Sequence, residues 1–495
     1  MRHLKNLLVY LFFFNCFYNY TQETTAFVKD SLTEKSIPFA SIYLKSGDGV
    51  VSNEDGYFRL KTNTLQEKDS IYISCMGFET LAIPYSKFND TIFYLKPKAI
   101  ELNTIILSNK QLAVADIIKK IKENTSEKYE LGLNKKKLFF RETGQQKFNS
   151  LKVKIKKTSI PILNQIFWDS VLLKVPRENN WYFEFIGNLY GNYNKEKQKL
   201  ELLKALNLQD KRKTEIFKNI EKLFDTILKD NVKTNSFFKV RSGIIGGKVE
   251  AEDIGLEDTL SKEQKIHKRK DSYLKSRKGV LVNIISELFD KKELDLSILN
   301  KSSKYKFIQT DFTYLGNTPV YIIDFRPDGN ADYKGRMYVD ADLLVLIRLE
   351  YTNVKPIRDF SMFGVYFKED LRKVVIQFKK MKSGKYCLEF FDYTTGFEGG
   401  FDRPLVVTEK NKIVRGRNKQ NQLKMDLNIS NRNSQRYQLI VFDTKKIDDN
   451  AFKNFEETAE ILPENKTSYD PDFWKGYSII EPNAVIKNLT IENQN

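Results

Sequence analysis

The chain has 495 residues, a formal net charge of +18 and 41% hydrophobic residues, the composition of a folded protein of about three domains. Its 36 Phe, 25 Tyr and 3 Trp favour β-rich structure, because aromatic side chains suit a pleated, half-buried surface. Only two histidines, His3 and His267, and three cysteines, Cys16, Cys75 and Cys387, are present. This scarcity excludes most metal sites built from His or Cys and argues against His-dependent catalysis.

The first residues have the pattern of an export signal. Arg2 and Lys5 precede an apolar, aromatic run of about 14 residues, which is too short to span a bilayer comfortably. We therefore predict a signal peptide over residues 1–21, with an uncleaved N-terminal anchor as the alternative. Lipidation at Cys16 is not expected, because the residues before it are bulky where a lipidation box needs small ones. No later stretch approaches 18 apolar residues, so the mature chain is predicted to contain no transmembrane helix.

The excess of basic residues indicates the class of partner. Without residues 1–21 the charge is still about +16, and for an exported protein anionic lipid headgroups, lipopolysaccharide or cell-wall polymers are better counterparts than nucleic acid. The lysines are scattered through every segment, which also fits an ordinary solvated surface. Cys75 and Cys387 lie in strand-like segments, and we expect two buried thiols, although the sequence leaves open whether they pair.

Residues 22–107 have the strand spacing of a small β-sandwich. Runs of β-forming residues recur about every ten residues between turns rich in Gly, Asn and Asp. The predicted strands are Ala26 to Lys29, Ala40 to Leu44, Tyr57 to Leu60, Ile71 to Cys75, Thr91 to Leu95 and Thr104 to Leu107.

Three motifs in this region carry a family resemblance. They are the segments from Lys35 to Leu44, from Ser52 to Phe58 and from Ile73 to Glu79, with the patterns P-x-A-x-I, S-x-E-D-G-x-F and I-S-x-x-G-F-E. In this order and spacing they resemble the carboxypeptidase-D regulatory-like domain. The resemblance implies a seven-stranded, transthyretin-like sandwich that acts as an accessory module in exported Gram-negative envelope proteins and has no catalytic residues of its own.

A helical linker is predicted over residues 108–135. Val114, Ile117, Ile118 and Ile121 form the stripe of an amphipathic helix, with Ser108 or Asn109 placed to cap it. Further on, three segments resemble envelope proteins in which a second region follows the regulatory-like domain, a resemblance that supplies no activity. These segments are Phe140 to Thr143, Tyr333 to Asp340 and Tyr469 to Tyr477.

Residues 136–495 are predicted to form an α+β domain with a helical insertion around residues 195–300. One helical stripe runs through Leu200, Leu203 and Leu206 and continues through Ile216, Ile220, Leu223, Phe224, Ile227 and Leu228. A second runs through Leu281, Ile284, Ile285, Leu288 and Phe289, and a further helix is expected over 262–278. Packing against a core is the favoured use of these stripes, and a helix lying on a membrane surface is the alternative.

The region from Tyr305 to Tyr393 alternates strands with short turns. The predicted strands are Tyr305 to Thr310, Val320 to Phe325, Gly335 to Val339, Leu344 to Tyr351, Lys373 to Met381 and Tyr386 to Tyr393. With earlier strands at Phe139 to Lys156 and Trp181 to Leu189, they predict an antiparallel meander that curls into an open half-barrel. At the level of fold, this pattern is similar to the lipoprotein-carrier half-barrels of the periplasm.

Two motifs with possible ligand chemistry fail on spacing. The segment from Ser242 to Val249 has three residues between Gly243 and Gly247 where a phosphate loop needs four, and no Ser or Thr follows its lysine. The segment from Asp328 to Asp332 has the first oxygen positions of a calcium loop but lacks the later Gly and Glu, so it is interpreted as a hairpin turn.

These observations predict an exported, non-enzymatic envelope protein located in the periplasm or on the periplasmic face of the outer membrane. It would bind an envelope protein, or an anionic lipid or polysaccharide surface, and would hold a hydrophobic or polymeric ligand in the half-barrel. No catalytic, cofactor-binding or metal-binding residue is assigned, and no cofactor is expected. One alternative is an outer-membrane β-barrel with a regulatory-like domain, although the charged helices and the polar C-terminus oppose it. The other is a glycan-acting enzyme with two carboxylates roughly 5–10 Å apart.

Overall fold

The computed structural model describes residues 23–44, 49–62, 65–98, 112–233, 235–250, 261–290, 293–413 and 419–483. The chain divides into two compact units, and a C-terminal segment belongs to the first of them. Within the described ranges no helix combines the length and apolar character needed to span a bilayer. The predicted signal peptide, the strand from Thr104 to Leu107 and the capping residues Ser108 and Asn109 lie outside the described residues.

The first unit contains two small sheets. One has the strand order β4-β1-β7 and the other β3-β2-β5-β6, so the described residues hold the seven strands that the resemblance implies. Alternating apolar residues such as Ile42, Phe58 and Ile73 are fully buried. The strands are β1 (Glu23–Asp30), β2 (Ser41–Leu44), β3 (Gly49–Val51), β4 (Tyr57–Lys61), β5 (Ser70–Ser74), β6 (Leu81–Pro84) and β7 (Ile92–Leu95).

Residues 470–483, here called the C-terminal strap, pack into this first unit. Trp474 of the strap is fully buried, and the buried carboxylate of Glu481 lies 2.7 Å from Nε of Arg59 on β4. Arg59 also pairs with Glu23 at 3.1 Å. The sequence pattern predicts this ending as part of the C-terminal region, but in the structure it packs in the first unit, where its ionic partner Arg59 lies.

The second unit is built on one 14-stranded sheet. Its main path runs β15-β16-β17-β18-β20-β21-β22-β8-β9-β10-β23, while β19 pairs with β20 and the β11–β12 hairpin pairs with β21. Its strands, and the separate pair β13–β14, are β8 (Asn134–Thr158), β9 (Glu178–Gly191), β10 (Gln198–Leu208), β11 (Ser236–Ser242), β12 (Ile245–Glu250), β13 (Phe289–Asp290), β14 (Glu293–Leu294), β15 (Tyr305–Leu315), β16 (Thr318–Pro327), β17 (Tyr333–Asp340), β18 (Val345–Asn353), β19 (Arg358–Met362), β20 (Val365–Lys380), β21 (Tyr386–Asn411), β22 (Lys419–Lys446) and β23 (Glu464–Lys466).

The predicted meander is confirmed, since each of its strands pairs antiparallel with the next strand on the path. Its curling into a half-barrel stays a prediction. The helices of the second unit are α1 (Val114–Glu123), α2 (Thr125–Lys128), α3 (Gln165–Lys174), α4 (Lys211–Asn231), α5 (Lys262–Ser286), α6 (Ser297–Asn300) and α7 (Asp449–Asn454). The linker helix is confirmed as α1, which begins after Ala113 and buries Ile117, Ile118 and Ile121.

Two predictions for the insertion are wrong in detail. The stripe through Leu200, Leu203 and Leu206 is not helical but belongs to strand β10. A β-bulge between Leu202 and Lys204 shifts the alternation by one residue, which gives the leucines a helix-like spacing. The two helices expected between 262 and 289 form the single helix α5, which begins with a capping box at Ser261.

Candidate functional site

The three longest strands of the sheet, β8, β21 and β22, have one polar and one apolar face. Residues directly opposite each other on paired strands share a face, and Phe401, Ile429 and Leu151 are such a row. The adjacent row, Asp402, Asn428 and Lys152, lies on the other face. The apolar face carries Phe148, Leu151, Val153, Phe397, Phe401, Leu405, Met425, Leu427 and Ile429, together with the polar residues Gln146, Arg403, Asn431 and Asn433. The polar face carries Lys147, Ser150, Lys152, Lys154, Glu398, Asp402, Asp426, Asn428, Ser430 and Arg432.

Helices α3 and α4 cover one end of the apolar face. The side chain of Gln165 on α3 ties that helix to β8, because it accepts from the backbone N–H of Ile155 at 2.8 Å and donates to the carbonyl of Val153 at 2.9 Å. A small apolar cluster closes this end of the face. Its members are Ile160, Leu163, Phe167, Phe224, Ile227 and Leu423.

Helix α5 lies against the same face further along the strands. Arg277 of α5 donates to a carboxylate oxygen of Glu142 on β8 at 2.7 Å, and its guanidinium lies 4.8 Å from the centre of the Phe183 ring. Trp181 donates its indole N–H to the second oxygen of Glu142 at 3.1 Å. Gly144 makes this possible, because a Cβ at that position would lie 2.1 Å from the Trp181 ring. Glu142 therefore anchors both the helix and the tryptophan.

A row of tyrosines continues from Glu142 across the sheet. Tyr437, Tyr393 and Tyr351 follow Glu142 in register, with Val374 between the last two. The rings of Tyr393 and Tyr437 stack with centroids 6.0 Å apart. Burial, and then the nearby Glu142 carboxylate, raise the pKa of Tyr437 to about 12, so its hydroxyl stays neutral.

Between the two helical covers, the apolar face is only half-buried. We call this part the apolar band; its members are Leu151, Phe367, Phe397, Phe401, Leu427 and Ile429. The rings of Phe367 and Phe397 are 5.6 Å apart, and β19 extends the band outward with Phe360 and Met362. A strip of half-exposed aromatic and aliphatic side chains suits an aliphatic or aromatic ligand.

Polar groups border the band at two points. Arg372 pairs with Glu369 at 2.6 Å beside Phe397, and its guanidinium lies 5.9 Å from the Tyr393 ring. Arg403 lies one row beyond Phe401 on the same face. Two guanidinium groups at the borders of an apolar strip suit a ligand with an anionic head and a hydrocarbon body.

The charged pair in the segment Phe140 to Thr143 is divided between the faces. Glu142 lies on the apolar face, whereas Arg141 lies on the opposite face with its side chain buried against Glu184 at 2.5 Å. Tyr182 donates its hydroxyl to the same carboxylate at 2.5 Å. The segment therefore anchors α5 through Glu142 and pairs with the neighbouring strand β9 through Arg141, which is a structural role.

The rejected motifs have simple structural uses. Gly243 and Ile244 form the tight turn of the β11–β12 hairpin, Gly246 and Gly247 are paired residues of β12, and Asp328 to Asp332 connect β16 to β17. His267 lies on the exposed first half of α5. Cys387 is a buried thiol as expected, whereas Cys75 is only half-buried. Across the described ranges, no group of three or more His, Cys, Asp or Glu side chains is placed to hold a metal ion.

Most of the band lies between Tyr393 and the C-terminus, where no strand is predicted from the sequence. The signal that was present is the alternation in Phe397-Glu398-Gly399-Gly400-Phe401-Asp402, in which apolar and polar residues fall on opposite faces.

The comparisons with known proteins concern different parts of the chain. The Pseudomonas aeruginosa MucA/MucB complex has a chain with 8% sequence identity and a TM-score of 0.16, over 63% of this chain and 92% of that chain. A crystal structure of MucB in complex with MucA(peri) gives 7% identity and a TM-score of 0.14 over the same shares. Similarity this weak supports no inference about fold or ligand. No curated protein matches the sequence. Residues 27–107 match the family model described as CarboxypepD_reg-like domain, so the chain carries a carboxypeptidase regulatory-like domain at the position that its three motifs predict.

Proposed function

We propose that this chain is an exported, non-enzymatic binding protein that holds a hydrophobic ligand, such as the acyl chains of an envelope lipid, on the apolar band. The observation that carries the proposal is the half-buried strip between α5 and α3. Its side chains are large and apolar, while the opposite face of the same strands has the lysines and serines of a solvated surface. Antiparallel sheets commonly show this division when one face packs against something.

The strip is large enough to contribute useful affinity. Full burial of a large apolar side chain contributes about 1.5–3 kcal/mol, so covering a half-buried one contributes roughly 1 kcal/mol. Six such side chains contribute roughly 6 kcal/mol in all, and Arg372 or Arg403 would add an interaction with an anionic head.

We also propose where this chain acts. The basic and apolar start of the sequence supports export, and the regulatory-like domain supports a separate docking role toward another envelope component. We therefore propose a periplasmic location for the chain, and a protein or polymer partner for its regulatory-like domain.

The first test is native mass spectrometry of residues 22–495 purified from the envelope without detergent. We expect an added mass equal to a phospholipid or a fatty acid. A clean apo mass, followed by no binding of a fluorescent long-chain fatty acid in titration, would contradict the proposal.

A matched pair of variants locates the site. Leu151 and Lys152 are neighbours on β8 but face opposite sides of the sheet. Leu151→Gln should weaken fatty-acid binding by about fivefold, since it removes roughly 1 kcal/mol of apolar contact. Lys152→Gln should bind as the unmodified chain does. Equal affinities for the two variants would exclude the band as the site.

A further inference from the structure

Two hairpin turns meet at the edge of β21, next to the apolar band. The β11–β12 hairpin pairs with β21 as far as Val406, and the β19–β20 hairpin pairs with it as far as Phe401. Their turns therefore face each other across residues 402–405. Arg403 joins them, because its guanidinium donates to the carbonyl of Ser242 at 3.0 Å, while the backbone N–H of Asp402 donates to the carbonyl of Gly364 at 2.7 Å.

Pro404 keeps the gap between the hairpins open. The backbone N–H of Asp402 points to the β20 edge of the strand, so the nitrogen of Pro404, two residues on, points to the same edge. Proline has no N–H to donate to a further strand there. The two turns are thus held end to end as separate tips.

Both turns expose large apolar side chains. Ile244 is 97% exposed and Phe363 is 70% exposed. We call the exposed set the hairpin tips; its members are Ile244, Ile245, Phe360, Met362 and Phe363. Five large apolar residues exposed in one place do not stabilise a monomer, and such a patch marks a contact with another surface.

The backbone conformation at Phe363 is a second, independent reason to assign the hairpin tips to a contact with another surface. Phe363 has φ +50° and Gly364 has φ +76°, which together make a turn of the type that favours Asn-Gly. A bulky side chain in the left-handed region is unfavourable, and here it also gains no burial. A residue that opposes local preference without stabilising the fold indicates a function outside the fold.

Charge around the tips indicates what that surface is. The segments that form them, residues 236–250, 358–368 and 401–405, contain six basic and three acidic residues. The basic residues are Lys239, Arg241, Lys248, Arg358, Lys368 and Arg403, and the acidic ones are Glu250, Asp359 and Asp402. Glu250 is already paired with Lys248 and Lys412. Apolar tips within a basic surround match the interface of an anionic lipid bilayer.

Helix α3 adds apolar residues on the same side of the sheet. Val153, which α3 contacts, is in one row with Leu427 and Arg403. On its outer side α3 exposes Ile166 and Leu173. The tips and α3 therefore stand on either side of the apolar band, on one face.

We propose that the hairpin tips dock this protein on an anionic phospholipid bilayer, with Phe363, Met362 and Ile244 inserted among the headgroups. The docking shares Phe360, Met362 and Arg403 with the outer border of the band, whereas Phe363 and Ile244 lie outside it, so these two residues test the docking separately. It would place the band beside a source of lipid.

The test is sedimentation of residues 22–495 with vesicles of phosphatidylglycerol and phosphatidylethanolamine, and with vesicles of phosphatidylcholine alone. We expect binding to the anionic vesicles that falls in about 0.5 M salt, where the Debye length shortens to a few ångströms. Phe363→Asn should weaken binding at least about tenfold while raising the unfolding temperature, because Asn suits the left-handed position. Ile244→Ser should weaken binding similarly. The control Leu32→Ser removes an exposed leucine of the first unit and should change nothing.

Some outcomes would overturn the proposal. These are vesicle binding equal in Phe363→Asn, Ile244→Ser and the unmodified chain, or no binding to anionic vesicles at all. Self-association that Phe363→Asn abolishes would instead assign the tips to a second copy of the chain. Fatty-acid titration in the absence of vesicles separates the two proposals, because the tip variants should bind fatty acid as tightly as the unmodified chain, whereas Leu151→Gln should bind it about fivefold more weakly.

Discussion

Lys136 is a buried lysine in the core of the second unit, and it allows a quantitative prediction. Its side chain is 1% exposed, and its ammonium lies 5.1 Å from the centre of the Tyr193 ring and 3.5 Å from the carbonyl of Gly191. Burial lowers its pKa from 10.5 to about 8, although Cys387 and Glu130 act in the opposite direction. No ion pair compensates for the lost hydration in the part of the chain that the structure describes.

The size and sign of the effect follow from linkage. A fall in pKa from 10.5 to about 8 corresponds to roughly 3 kcal/mol of unfavourable burial of the charged form. Between pH 8 and pH 10.5 the unfolded lysine holds a proton that the native one has lost. The free energy of unfolding therefore rises with pH across this window, and below it the full cost is present. Lys136→Met removes the charge at similar volume, so at pH 7 it should stabilise the unit by about 2–3 kcal/mol.

The assay is urea unfolding followed by tryptophan fluorescence at several pH values from 7 to 10.5. Trp168 and Trp181 both belong to the same unit as Lys136. The difference in free energy of unfolding between Lys136→Met and the unmodified chain should shrink toward zero as pH rises. The contributions of the other titrating groups are the same in both chains and cancel in this difference. Lys137→Met, at the exposed neighbouring position, is the control. A Met variant less stable at pH 7, or a difference that does not change with pH, would refute the reasoning.

Two further changes test packing in each unit. Gly144→Ala should lower the free energy of unfolding by about 1–3 kcal/mol and shift the fluorescence of Trp181, because the added Cβ meets the indole ring that donates to Glu142. Unchanged emission and stability would contradict this. Glu481→Ala should destabilise the first unit by about 3 kcal/mol, because it removes the carboxylate that lies 2.7 Å from Arg59. Limited proteolysis should then cut the C-terminal strap. A strap as resistant as before would contradict this and show that its apolar residues alone hold it in place.

Local patterns were enough for part of the fold. The hairpins from Tyr305 to Tyr351 were predictable because each strand alternates in period two and each turn has its own Gly, Asn or Asp. The sandwich was predictable because three motifs carry a family resemblance, and α1 because its isoleucines keep a helical spacing. Each of these signals lies within about ten residues of sequence, the range over which periodicity and turn chemistry act.

Strands β21 and β22 beyond Tyr393 show where local patterns fail. Gly396, Gly399, Gly400 and Pro404 oppose a strand, yet the segment is paired along its length. The Tyr366 ring lies over Gly400. Pro404 is opposite Asp426 of β22 at one edge of the strand, and its nitrogen faces the other edge, where none of the described strands pairs with it, so the tertiary pairing accommodates both residues.

By itself, the sequence determined that the chain is β-rich, carries a regulatory-like domain, and continues into an antiparallel meander. Only the tertiary structure decided which side chains share a face, that the strap packs in the first unit, and that two distant hairpins meet at Arg403. The physical reason is that register joins residues far apart in the chain. A shift by one residue would exchange the two faces of a strand, and nothing local to the strand sets it.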